Sequence, residues 1–160
     1  MTPQEEEYIH FVSSIDDLNR AWCILQEIRK SKDSKLVAPA FRFALIEYSK
    51  PYKYSYGTAS NGAKYILDNT HVPAGYHELH KRILATRDQI LAHSDLTVKQ
   101  AELYVSSTVS GKCTTVVQNL IHGAEEFSNL NTIINLIEQT LDSMYTEVKQ
   151  LEATLPVNTK

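Results

Sequence analysis

The chain has 160 residues, 42% hydrophobic and 22% charged, a size and balance that support one domain with one core and exclude wholesale disorder. Two cysteines, Cys23 and Cys113, exclude a disulfide scaffold and point to a reducing compartment, and five glycines with five prolines exclude a collagen-like chain. The net charge of −3 is unevenly spread: residues 1–28 carry −5, residues 29–112 carry +6 and residues 113–160 carry −4, so the middle holds either an ordinary solvated surface or a locally positive groove.

The opening MTPQEEEYIH places three glutamates where a leader needs positive charge, and no apolar run approaches a membrane span, so the expected location is the cytoplasm. From Glu5 to about Lys30, Tyr8, Phe11, Val12, Ile15, Leu18, Trp22, Leu25 and Ile28 recur at spacings of three and four, which predicts a long amphipathic helix. After the polar SKDSK, Phe41, Leu45, Ile46 and Tyr48 predict a shorter helix that ends before Pro51. Residues 51–75 read as a loop with one turn of helix around Ala63 to Leu67. A third helix is expected from Tyr76 to Ser94, then a β-hairpin around 97–118 with STVSGK as its turn. A last long helix is predicted from Ala124 to about Leu155, marked by Phe127, Leu130, Ile133, Ile134, Ile137, Leu141, Met144, Tyr145, Val148 and Leu151. The expected fold is therefore mainly α: one domain over 1–155, an antiparallel bundle of four to five helices with a small β-hairpin before the last one, and a frayed tail at 156–160.

The 76–94 helix carries the chemistry. Projected at roughly 100° per residue, Leu79, Ile83, Leu84, Ile90 and Leu91 form one apolar arc, and Arg87 and His80 lie inside it. A guanidinium keeps its charge, so Arg87 must be paired, face a wet groove or meet another chain. The structural explanation is a bridge to Glu47 or Asp88. The functional one uses Arg87 with His93 near the helix end: imidazole exchanges protons near neutral pH, and the forked guanidinium stabilises the charge that develops on a phosphodiester. An RNA 2′-hydroxyl then serves as nucleophile, with no metal needed.

The string Arg87-Asp88-Gln89-Ile90-Leu91-Ala92-His93, extended by Ser94 and Asp95, resembles the R-x4-6-H motif of the HEPN superfamily, and within it the abortive-infection AbiU-type branch. The resemblance implies a helical homodimer whose motif helices face each other across one cleft. It further implies a metal-independent endoribonuclease, a toxin or antiviral effector with an antitoxin partner, leaving a 2′,3′-cyclic phosphate and a 5′-hydroxyl. Carried onto this sequence, His93 is the base or acid, Arg87 the phosphate stabiliser and Asp88 the group that orients one of them. Apart from the resemblance, Lys81 and Arg82, a turn and more before Arg87, are placed to meet an RNA backbone, and with His80 and Ser94 they are the expected substrate contacts. No cofactor is implied. The alternatives are a non-catalytic HEPN-type dimer that binds a nucleotide, RNA or protein, and a plain dimeric bundle. The hairpin has no counterpart in the family pattern.

Other features carry less. His77-x-x-His80 has metal-ligand spacing without a third ligand, and Glu7-x-x-His10 supplies a di-iron half-motif only once. Cys23 and Cys113 read as buried small hydrophobes. Tyr52, Tyr54 and Tyr56, alternating with Lys53, suit either base stacking or ordinary surface and core contacts.

Overall fold

The computed structural model describes residues 1–31, 35–58, 62–88, 102–117 and 125–156. Four helices dominate, as the periodicity predicts. Helix α1 spans Pro3–Lys30. Thr2 caps it reciprocally: its hydroxyl accepts the Glu5 N–H at 3.2 Å and the Glu5 carboxylate accepts the Thr2 N–H at 2.7 Å, with Pro3 at the first helical position. Phe11, Ile15, Leu18, Ala21, Leu25 and Ile28 bury one stripe of this helix. Each large side chain so removed from water contributes about 1.5–3 kcal/mol.

Helix α2 covers Val37–Ser49 and starts earlier than the apolar spacing suggests. Pro39 falls in its first turn, where a missing N–H goes unused. Pro51 ends the helix as expected by tightening the chain into a 3-10 turn over Lys50–Tyr52. Helix α1 packs on α2 and on the last helix, α4 (Leu130–Thr154). Both pairs run antiparallel. Arg20 reaches Glu47 at 2.9 Å while Asp17 lies 4.0 Å from Lys50; likewise Trp22 donates to Glu138 at 2.8 Å while Asn19 donates to Tyr145 at 2.7 Å. Phe41, Leu45, Tyr48, Ile133, Ile137 and Met144 complete the core between them.

The segment between α2 and α3 departs from expectation. Instead of a helical turn at 63–67, a two-residue antiparallel ladder pairs β1 (Ser55–Tyr56) with β2 (Lys64–Tyr65), Ser55 opposite Tyr65 and Tyr56 opposite Lys64. Its closure is tertiary. The buried Glu6 carboxylate of α1 accepts the Thr58 N–H at 2.6 Å, the Thr58 hydroxyl at 3.1 Å and the Tyr65 hydroxyl at 3.0 Å. A Cβ at Gly57 would press on the Glu6 carboxylate and stand 2.8 Å from the Tyr65 ring, so a larger residue there must displace the side chains that hold the tongue to the helix.

Helix α3 spans His77–Thr86, buries Leu79, His80 and Ile83, and continues helical geometry into Arg87 (φ −59°, ψ −48°). The remainder of the expected 76–94 helix, with His93 and Ser94, lies outside the described residues, as do the flanks of the expected hairpin and the 157–160 tail. The hairpin itself is present: β3 (Glu102–Thr108) pairs with β4 (Gly111–Val117), and every residue of both strands is exposed. Cys113 on this hairpin and Cys23 on the solvent side of α1 are both exposed, not buried as expected. Cys23 falls outside the α1 core stripe, at the rim of an apolar groove lined by Ile24, Ile28, Leu36 and Val37. Among the described residues no helix is long and apolar enough to cross a membrane.

Candidate functional site

The α1–α2 packing and the β1–β2 tongue leave a polar cleft of about 340 Å³ lined by His10, Asp17, Lys50, Lys53, Tyr54 and Arg87. Arg87 reaches it from the end of α3, and its side chain is 30% exposed, so the guanidinium is neither sealed nor fully solvated. Two of the resolutions available to a cation inside an apolar arc are realised together. Arg87 Nη1 donates to Asp88 Oδ1 at 3.0 Å, and the group also lines the wet cleft.

Asp88 is shared. Its second oxygen accepts the Lys53 ammonium at 2.5 Å, which ties the end of α3 to the segment after α2. Partial burial pushes the Asp88 carboxyl up, but hydrogen bonds from Lys53 and Arg87 outweigh it and hold the pKa below the usual carboxylate range. The expected alternative bridge from Arg87 to Glu47 does not form. The fully buried Glu47 is taken instead by Arg20 at 2.9 Å and by Lys50, whose cations lower its pKa against the opposing effect of burial. Of the charged side chains that line the cleft, three are cations (Lys50, Lys53, Arg87) and one is a carboxylate (Asp17), and the cations also pair with Glu47 and Asp88 behind it.

His10 brings an imidazole to the same cleft. Desolvation by burial lowers its pKa, with Asp17 opposing, so the ring is neutral near pH 7 and able to accept a proton. Burial likewise raises Asp17, against the pull of Arg20 and Lys50. In the sequence His10 stands out only as half of a di-iron motif. The signal it missed is that His10 and Asp17 stand two turns apart on one face of α1, opposite the lysine pair at 50 and 53.

The remaining expected contacts are placed elsewhere. His80 is 3% exposed and fully committed: Nδ1 accepts from the Tyr48 hydroxyl at 2.7 Å and Nε2 donates to Asn69 Oδ1 at 3.1 Å. It fastens α3 to α2 and cannot touch a substrate. Arg82 grips Glu126 with two hydrogen bonds, at 2.5 and 3.3 Å, and Lys81 pairs with Glu78 at 2.9 Å on an exposed surface. Both residues project roughly 120–140° around the helix from Arg87 and line no part of the cleft. His77 Nε2 is hydrogen-bonded to the Val72 carbonyl at 2.9 Å and both ring nitrogens of His80 are engaged, so His77-x-x-His80 does not offer a metal two open rings. Among the described residues no group of three or more His, Cys, Asp or Glu is arranged to hold a metal ion. Of the three tyrosines, Tyr52 is buried against Tyr48 and His80, whereas Tyr54 and Tyr56 are 63% and 66% exposed.

Compared with protein-family models, curated proteins and solved structures, the chain has no match.

Proposed function

We propose that this chain is a metal-independent endoribonuclease of HEPN type, acting in the cytoplasm as a homodimer in which Arg87 and His93 of facing helices serve one RNA cleft. The observation that carries the reading is the position of Arg87: a guanidinium 30% exposed at a polar cleft beside Lys50, Lys53 and Tyr54, the residue types that bind phosphate and stack on bases.

The chemistry follows from the groups. A base, His93, takes the proton of the RNA 2′-hydroxyl, whose oxygen bonds to the adjacent phosphorus. The bond to the 5′-oxygen breaks, and that oxygen leaves with a proton from an acid. The products are a 2′,3′-cyclic phosphate and a 5′-hydroxyl. Arg87 bears the charge growing on the non-bridging oxygens, and the 3.0 Å bond it donates to Asp88 fixes its orientation. In the cell such an activity is a toxin or an antiviral effector, held in check by an antitoxin.

The test is cleavage of mixed-sequence RNA in EDTA by the parent, His93→Ala and Arg87→Ala. Each variant is expected to lose at least about 100-fold in rate with its helical circular dichroism intact, the scale of a lost acid–base or charge-stabilising group. Cleavage unaffected by either substitution contradicts the assignment. RNA bound but uncut favours the second reading, a non-catalytic binding module; the observation on its side is that Asp88 already satisfies Arg87 within the chain.

A further inference from the structure

We infer that the β1–β2 tongue is a base-stacking platform, on which Tyr54 and Tyr56 receive successive bases of a single-stranded RNA while Lys64 meets its backbone. The inference rests on the RNA-directed reading of the Arg87 cleft and adds to it the form of the substrate and the path by which it enters.

Exposure is the first argument. Large aromatic rings are normally spent on the core, yet these two stand 63% and 66% open to solvent two residues apart. The second argument is that they act together. The Lys64 ammonium lies 5.3 Å from the Tyr54 centroid and 5.8 Å from that of Tyr56, so both rings flank one cation on one side of the tongue. Among the described residues no carboxylate lies within ion-pair distance of Lys64. Adjacent π-faces beside a cation that no described carboxylate neutralises suit a strand of unpaired nucleotides, because every base has a face to stack and every linkage a charge to neutralise.

The platform is also built rigidly. Glu6 holds Thr58 and Tyr65 through three hydrogen bonds, Gly57 N–H donates to the Ala63 carbonyl at 2.8 Å, and Leu67 N–H donates to the Pro51 carbonyl at 2.8 Å. Rings presented on a braced tongue lose little freedom when a ligand binds. Finally, the platform is continuous with the proposed site. Tyr54 itself lines the Arg87 cleft, so a base on that ring brings its phosphate toward Lys53 and Arg87.

The experiment measures anisotropy of a fluorescein-labelled 12-nucleotide single-stranded RNA, using His93→Ala as the background so that binding is read without cleavage. Adding Tyr54→Ala and Tyr56→Ala together is expected to weaken binding at least tenfold, while Tyr54→Phe with Tyr56→Phe binds like the background. Lys64→Ala is expected to lower the slope of log affinity against log salt by about 0.7. Unlabelled single-stranded RNA should displace the probe far better than the same sequence as a duplex. Unchanged affinity in the double alanine variant, or displacement by polyglutamate as effective as by RNA, overturns the platform. In the first of those outcomes the nuclease reading stands if the parent still cleaves; absence of any RNA binding overturns both.

Discussion

His80 shows how one residue can look like a site and serve as a joint. The Asn69 amide oxygen only accepts, so Nε2 must carry the proton and Nδ1 must accept from Tyr48; the bonding pattern is complete for the neutral ring. Desolvation, aided by the neighbouring His77, lowers its pKa to about 4. The folded state thus binds this proton more weakly than the unfolded chain, whose histidine titrates near 6.5. Stability from this group is full above about pH 6.5 and is lost as the pH falls toward 4, up to about 3 kcal/mol in all. Urea unfolding at pH 6.5 and pH 5 should show this loss in the parent and a smaller one in His80→Gln, the residual slope coming partly from His10, which is shifted the same way. Identical slopes contradict the assignment.

At the scale of elements, the helices were legible because their burial obeys a local period. Phe11, Ile15, Leu18, Leu25 and Ile28 could be marked before any packing was known, and all are buried. The tongue was not legible. A two-residue ladder gives no alternation to detect, and its brace, Glu6, stands 52 positions from Thr58. The candidate site divides the same way. Arg87 was visible as a charge inside an apolar arc, a local contradiction, whereas His10, Asp17, Lys50 and Lys53 meet only once α1 lies against α2. The β3–β4 hairpin is foreseen from its β-branched residues, yet the exposure of both its faces is not. Leu103, Val105 and Val116 share one face of it, since Leu103 pairs with Val116, and all three are exposed. Among the described residues no third strand pairs with it, and a two-stranded hairpin is marginal in water, so it adds little to the helical core. Replacing residues 102–117 by a short Gly/Ser linker should leave the free energy of unfolding within about 1 kcal/mol of the parent; a loss of several kcal/mol would mean that the hairpin braces the bundle.

Across the whole molecule, charge and architecture point the same way. Of the 13 cations of residues 29–112, Arg82 is spent on an internal joint with Glu126, and four, Lys50, Lys53, Lys64 and Arg87, fall where α2, the tongue and the end of α3 converge. Lys50, Lys53, Lys64 and Arg87 line that quarter with two open tyrosines, a surface matched to a polyanion with unpaired bases. If the RNA supplies its own nucleophile there, the substrate rather than the protein carries the decisive hydroxyl. The most direct measurement is therefore mass spectrometry of fragments from one RNA and from the same RNA with a single 2′-deoxy nucleotide at its main cleavage position. The account predicts 2′,3′-cyclic phosphate and 5′-hydroxyl ends from the first and no cut at the altered position in the second. Scission at the deoxy nucleotide, or ends bearing a 5′-phosphate, would contradict it.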